Sequence, residues 1–373
     1  MNKKTIVIAS DSFKGTLSSL DICHLYEEQL KDRDDISLIT LPIADGGEGS
    51  LECISSVLDG RYIDIEVTDL YFHKIKTKFF IDKNNNAYIE SASCVGLNLA
   101  HKDNDPGEVT TFGIGEQIIQ AIKEGAINIY IFLGGTASND GGTGLASALG
   151  TKFFNKDNEL FTPTGNTLKD IDYIDNFLTD ELLRYVNIIV LSDVKSPLYG
   201  LEGAAYKFAK QKGASDDQVK LLDDGLRHLA NKIKQDMRID IDNIPGSGAA
   251  GGLGGGLHAF TNAKITSGID TLLDLMKFDE IIKDADIVIS GEGKLDKQTL
   301  DGKVIDGIAK RCIKYHKPLS LVVGVSEITI KDMKDRYPCV SHIYETNKEH
   351  LPFIDIKNNA KESYIKIIKE LLD

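Results

Sequence analysis

Cysteine is scarce and scattered in this chain of 373 residues. Cys23, Cys53, Cys94, Cys312 and Cys339 are odd in number and form no CxxC pair. That excludes a disulfide framework and a cysteine zinc site, and fits reduced thiols in a cytosol. The eight histidines are dispersed and none sits at metal-ligand spacing, so each reads as structural or solvent-facing. Long apolar runs are missing too. Ile6 to Ala9 is too short for a signal peptide, and nothing approaches the ~20 residues of a membrane span. Positive charge is in deficit, with 43 Lys and Arg against 57 Asp and Glu, a net charge of −14. This argues against nucleic acid or an anionic membrane as a general partner, but not against a local basic pocket. Neither a low-complexity tail nor a repeat is visible. GxxxxGK[ST], GxSxG and HExxH are all absent, which removes the P-loop, the hydrolase elbow and the zincin helix. One GxGxxG occurs, Gly246-Ser-Gly-Ala-Ala-Gly251, but it follows Asn243-Ile-Pro245 and not a clear strand, so a dinucleotide reading lacks its context.

What remains is the composition of a soluble globular protein, 42% apolar and 27% charged, of a length that predicts two domains; the scattered thiols point to a cytoplasmic location. Thr5–Ser10 and Ser37–Leu41 read as buried strands, each followed by a loop and a helix; Ser18 and Asp21 cap the first helix. Tyr62–Thr68, Lys74–Ile81 and Ala87–Glu90 read as an antiparallel meander. A helix is expected over roughly 107–123, then a strand over Ile127–Leu133 and a short helix ending at Gly150. Thr151–Thr167 reads as a loop or hairpin and Asn187–Leu191 as a strand. Ser215-Asp-Asp-Gln218 is a capping box that opens the clearest helix, with Val219, Leu222, Leu226, Leu229 and Ile233 as its core stripe. Asp286–Ser290, Leu319–Val323 and Val340–Tyr344 read as strands, and Asn359–Leu372 as the closing helix. The two ends share a βα texture that the middle lacks. The expectation is therefore one discontinuous parallel α/β domain, residues 1–65 plus about 258–373, with a second α/β domain of mixed sheet, 66–257, inserted into it.

Five loops repeat one grammar, an apolar strand running into acids, glycine or lysine. They are Asp11-Ser12-Phe13-Lys14, Asp45-Gly46-Gly47-Glu48, Gly134–Gly144, Asp193-Val194-Lys195 and Glu292-Gly293-Lys294-Leu295-Asp296. In open α/β sheets ligands bind beyond the carboxyl ends of the strands. Converged, these loops would place carboxylates, lysines and backbone N–H groups together, which is what phosphoryl transfer requires. Gly134 and Gly135, with Ser138, Asn139 and Asp140 following, fit either an anion cradle or a tight turn needing positive φ. The run Gly246–Gly256, with Gly248, Gly251 and Gly252, has the glycine density of a hinge or of close approach to a ligand.

Taken in order, these blocks resemble the bacterial glycerate kinase family of the type I kind. The resemblance rests on Asp11-Ser-Phe-Lys-Gly-Thr-Leu-Ser18, Pro42-Ile-Ala-Asp-Gly-Gly-Glu-Gly49, Gly134–Gly144, Ser192-Asp-Val-Lys-Ser-Pro-Leu-Tyr-Gly200, Gln211-Lys-Gly-Ala214, Gly246–Gly256, and Ser290–Thr299 with Gly302-Lys303. It implies a flavodoxin-like discontinuous domain, an active site in the cleft between two α/β domains, and transfer of the γ-phosphoryl of ATP to D-glycerate with Mg²⁺. Family members are taken to make 2-phosphoglycerate, some 3-phosphoglycerate. Asp193 is then the leading candidate for base or Mg²⁺ ligand, with Asp45 and Glu48 sharing that duty. Lys14 and Lys294 would neutralise phosphate or the glycerate carboxylate. Ser12, Glu292, Asp296 and the two glycine runs would complete the binding set, and which run takes ATP stays open. Two departures stand out. Phe208-Ala-Lys210 replaces the family's Phe-Gly-Pro, and Lys294 stands where arginine is usual, a point charge in place of a fork. The open alternatives are a kinase on another small hydroxy acid and a non-catalytic glycerate or nucleotide sensor. A homodimer is allowed.

Overall fold

The computed structural model describes residues 3–372 apart from positions 45, 48, 298 and 350. In chain order the elements are β1 (Lys4–Ser10), α1 (Ser19–Leu30), β2 (Ile36–Pro42), α2 (Ser50–Val57), β3 (Gly60–Thr68), β4 (Lys74–Asp82), β5 (Asn86–Glu90), α3 (Ala92–Val95), α4 (Phe112–Lys123), β6 (Asn128–Phe132), α5 (Thr143–Leu149), β7 (Lys152–Phe154), β8 (Leu160–Phe161), β9 (Tyr173–Asp175), α6 (Phe177–Leu182) and β10 (Asn187–Leu191). They continue as α7 (Asp216–Met237), α8 (Leu253–Thr261), β11 (Lys264–Thr266), α9 (Gly268–Leu275), α10 (Phe278–Ile282), β12 (Ile287–Leu295), α11 (Val304–Lys314), β13 (Leu319–Ser326), α12 (Ile330–Arg336), β14 (Val340–Glu345) and α13 (Phe353–Leu372).

The chain divides into two compact units. The first comprises Met1–Asp45, Glu52–Leu58 and Ile269–Asp373; the second comprises Gly46–Leu51 and Asp59–Gly268.

The first unit is a five-stranded parallel sheet in the order β14-β13-β12-β1-β2. Numbered within the unit, that order is 5-4-3-1-2, the flavodoxin-like arrangement, whose switch point falls between its first and third strands. The seam is β1 against β12, with Ile6, Val7 and Ile8 opposite Ile287, Val288 and Ile289. The apolar runs are continuous because both sheet faces are covered. Ile6 and Ile8 pack with Ile22, Tyr26, Val322, Tyr364 and Ile368. Two elements differ from expectation. β12 does not stop at Ser290 but continues to Leu295, so Glu292 and Lys294 sit on a strand and not in a loop. Its glycines read as loop residues, yet they let neighbouring strands close up. A Cβ on Gly291 would meet the Val322 carbonyl oxygen, and one on Gly324 the Gly293 carbonyl oxygen. α13 begins at Phe353, six residues before the expected start, directly after Pro352.

The second unit holds a mixed sheet in the order β11-β10-β6-β5-β4-β3. The meander β3-β4-β5 is antiparallel, and β5, β6, β10 and β11 pair in parallel. β3, which spans position 65, and β11, which follows position 258, both pair within this sheet. The Thr151–Thr167 stretch supplies β7 and β8 of a small antiparallel sheet completed by β9. α4 starts at Phe112 instead of near 107, because the backbone N–H of Thr111 is drawn to a carboxylate of the glycine loop. α7 is as expected. Ser215 accepts from the Gln218 N–H at 3.3 Å, Gln218 reaches back to the Ser215 N–H at 2.8 Å, and Val219 to Ile233 form the buried stripe.

The cap and the stripe should separate in a denaturation series. Ser215→Ala should cost about 1 kcal/mol, the usual value of a lost N-cap. Leu226→Ala, at a fully buried position, should cost about 2–5 kcal/mol. Urea unfolding of both variants checks the order; a larger loss at Ser215 would contradict the packing described for α7.

Candidate functional site

The carboxyl ends of β1, β12 and β13 open onto one cavity of about 350 Å³ within the first unit. From β1 comes the turn Asp11–Leu17. The Asp11 N–H donates to the Gly291 carbonyl (2.9 Å), which ties the turn to β12, and the Asp11 carboxylate accepts from the Ser12 N–H (2.6 Å). The Phe13 N–H donates to the Leu17 carbonyl (2.8 Å), and Gly15 takes φ +80° to close the turn, as only glycine does readily. Lys14 projects from this turn, exposed at the rim, and forms no ion pair among the described residues.

From β12 comes Glu292, 6% exposed. The Thr299 hydroxyl donates to it. Burial pushes its pKa up to about 7; the Thr299 bond and the charge of Lys303 oppose that, while Asp11 and Asp296 add to it. Two residues on, Lys294 points to solvent and pairs with Glu327 at 2.8 Å, with Asp296 at 3.8 Å. Thr299 also receives the Asp296 N–H (3.0 Å) and donates its own N–H to the Asp296 carboxylate (3.3 Å), closing the loop. Lys303, immediately before α11, lines the same cavity.

Of the residues expected from sequence, this cavity gathers Ser12, Lys14, Glu292, Lys294 and Asp296. Asp11 and Lys303 belong with them. Both lie inside the quoted loop blocks, and their place next to a strand end or a helix start was the available signal. The α13 wall of the cavity gave no such signal, since Phe353 and Ile356 precede the expected start of that helix at Asn359.

The second unit collects the others. At the carboxyl ends of β6 and β10, Gly134 donates its N–H to the Gly46 carbonyl (3.3 Å), and a Cβ on Gly134 would fall on the Gly47 Cα. Asp193 follows β10, and one of its carboxylate oxygens accepts from the Ser267 hydroxyl (3.0 Å) and the Gly268 N–H (2.9 Å). Asp45 and Glu48 lie outside the described residues.

The glycine runs enclose buried polar groups and pack closely at several positions. Asp140 is fully buried. It accepts from the Thr111 N–H (2.9 Å) and hydroxyl (2.8 Å), the Gly142 N–H (3.0 Å) and the Gly144 N–H (3.2 Å). Burial raises its pKa and these four donors lower it, so the carboxylate acts as the internal anchor of its own loop. In the second run, a Cβ on Gly248 would strike the Pro197 carbonyl, and one on Gly251 the Ser138 carbonyl. One on Gly252 would come within 3.0 Å of the Gly141 Cα. Gly141 donates its N–H to the Gly251 carbonyl at 3.1 Å. At Gly248 and Gly251 the close approach is of chain to chain. Gly135 faces only the Ala92 methyl, at 3.6 Å. Lys212, which the sequence reading did not single out, is enclosed against the same loop. Its ammonium donates to the Ser138 carbonyl (2.7 Å), and burial pulls its pKa down to about 7 against the opposing field of Asp140. The side chains of Ser138 and Asn139 are fully buried without hydrogen-bond partners among the described residues.

The Glu292 environment has a measurable consequence. Its folded pKa lies above the ordinary carboxyl value, so the folded state holds this proton more tightly. The stability tied to it is complete below about pH 4.5 and lost as pH rises through about 7. Glu292→Gln should therefore raise Tm more at pH 8 than at pH 5. Thermal melts at both values check this; a larger gain at pH 5 would mean that the ionised carboxylate is the stabilising form.

Comparison with known proteins agrees with this geometry. The model of the glycerate kinase family matches residues 6–372. A glycerate kinase of Bacillus cereus is 38% identical over 322 residues, 86% of this chain and 84% of that protein. A glycerate 2-kinase of Escherichia coli is 39% identical over 327 residues, 86% of this chain and 84% of that one. A solved structure described as a glycerate kinase 2 from Salmonella typhimurium LT2 superposes with a TM-score of 0.83 at 33% identity, covering 99% of this chain and 97% of its own. A parallel sheet with acids and lysines at its switch point, and relatives matched along most of their length, lead to one conclusion: this chain belongs to the glycerate kinase family.

Proposed function

We propose that the protein transfers the γ-phosphoryl group of ATP to the 2-hydroxyl of D-glycerate in the cytoplasm, yielding 2-phosphoglycerate and ADP. The observation that carries this reading is the convergence of Asp11, Lys14, Glu292, Asp296 and Lys303 on one cavity at the switch point of a parallel sheet. Phosphoryl transfer asks mainly for positioning and for charge stabilisation, and lysines beside carboxylates at strand ends provide both. The name of the E. coli relative favours the 2-hydroxyl.

Within this reading Lys14 and Lys303 offset phosphate charge. Asp193 is the leading candidate for the base that takes the attacking hydroxyl's proton, since two donors on one oxygen hold its carboxylate in a fixed orientation. Asp193 is equally the candidate Mg²⁺ ligand, with Asp45 as its expected companion. Among the described residues no group of three or more His, Cys, Asp or Glu forms a ready cation cage. Nucleotide-borne Mg²⁺ needs only one or two carboxylates, with phosphate oxygens and water completing the shell, so this donor set fits. The ion would neutralise phosphate charge there. Lys294, already paired with Glu327, serves as a secondary cation at the rim.

Two measurements test the reading. D-glycerate should release ADP from Mg-ATP, and ³¹P NMR of the product should place the phosphate on the 2-oxygen. A 3-phosphate would retain the kinase and overturn the regiochemistry. Asp193→Asn should lower kcat by about 10²–10⁴-fold with the fold intact by circular dichroism; turnover within a few-fold of wild type would remove Asp193 from the mechanism.

A further inference from the structure

The wall of the switch-point cavity is of two kinds. One side carries Asp11, Lys14, Glu292 and Lys303; the other comes from Val325 at the end of β13 and from α13, where Phe353, Ile356, Ala360 and Tyr364 give apolar surface interspersed with Asp355, Asn359 and Ser363. The two sides are joined. The Phe353 ring lies over Gly15, where a Cβ would come within 2.8 Å of its ring edge, and Phe13 meets Tyr364 edge to face at 5.4 Å. At the mouth Leu351 and Phe353 are 43% and 56% exposed, an apolar lip beside charged side chains.

Glycerate does not match this lining. It is a three-carbon acid bearing a carboxylate and two hydroxyls, and it has no face that gains from leaving water against Ile356 or Phe353. A nucleoside phosphate matches both halves, with a flat base for the apolar wall and phosphates for the lysines. The cavity volume of about 350 Å³ lies within the range of small-molecule and cofactor sites, ~300–1,000 Å³. Lys14 has no carboxylate in ion-pair reach among the described residues, whereas Lys294 is neutralised by Glu327. In the glycine runs of the second unit, by contrast, Gly134, Gly248, Gly251, Gly254 and Gly256 have their closest approach filled by backbone.

We infer that this cavity is the nucleotide pocket of the enzyme, with the base held against Ile356, Ala360 and Phe353 of α13 and the phosphates directed to Lys14 and Lys303. The inference rests on the kinase reading above but commits to which co-substrate the first unit takes.

Titration calorimetry with Mg-ADP, in the absence of glycerate, tests it without turnover. Ala360→Phe fills the slot and should weaken ADP binding about tenfold or more, while inorganic tripolyphosphate binds within about twofold of wild type. In steady state KM for ATP should rise while KM for glycerate holds within about threefold. Phe353→Ala, at an exposed position that tolerates truncation, should weaken ADP binding several-fold if the filled variant does not fold. Unchanged ADP affinity in folded Ala360→Phe, or in Phe353→Ala should that be the only folded variant, overturns the assignment. So does a rise in KM confined to glycerate, or a wild type that binds no ADP. A wild type that binds ADP through this slot yet makes no phosphoglycerate would sink the glycerate reading and leave the pocket standing.

Discussion

The pairing of β1 with β12 is the constraint on which the rest depends. The Thr5 N–H meets the Asp286 carboxylate at 2.7 Å, and the Asp286 N–H returns to the Thr5 carbonyl at 2.8 Å, across 281 positions of sequence. Three residues in register follow; β1 then ends at Ser10, while β12 runs on to Leu295. Because the register is parallel, the loops leaving β1 and β12 emerge on the same edge. Asp11 and Lys14 thus stand beside Glu292 and Asp296 although nothing local relates them. Slipping this seam by one residue would turn every side chain of the slipped strand to the other face and take Glu292 out of the cavity.

Glycine serves two distinct purposes in this chain, and only one of them concerns turning. Gly15 takes a positive φ to close the turn that presents Lys14. Gly291, Gly248 and Gly251 are required because another stretch of backbone occupies the space a side chain would need. The second use lets Asp140 and Lys212 be enclosed, since loops that touch backbone to backbone leave little room for water around them. The consequence is a buried acid satisfied by four donors and a buried lysine with a depressed pKa, both within one loop cluster.

Much of this is legible in the sequence. Apolar strands ending in Asp11-Ser-Phe-Lys14 or Glu292-Gly-Lys294 announce a parallel sheet, and the stripe of α7 is correct residue for residue. The rest hides for physical reasons. Gly-Glu-Gly at 291–293 has the composition of a loop, and its strand character comes only from the partner that approaches it. Asp140 stands in a glycine-rich loop, but two of its four donors come from Thr111, far away in sequence. Lys212 resembles any surface lysine because its burial is set by the Ser138–Asp140 loop and not by its neighbours in the chain. The first turns of α13 carry exposed apolar residues that break the amphipathic pattern, so its cavity-facing wall is visible only once the strands are assembled.

The same seam has a bearing on how the protein comes off the ribosome. At ~5–20 residues per second, the 281 positions between Thr5 and Asp286 take ~14–56 s to synthesise. Throughout that time β1 and β2 exist without β12, and the hydrogen-bonding edge of β1 that will receive Ile287 to Ile289 has no partner. The mixed-sheet unit, complete by Gly268, has its whole sequence available before the first unit can close. The nascent chain therefore carries the unpaired edge of β1 for the better part of its own translation.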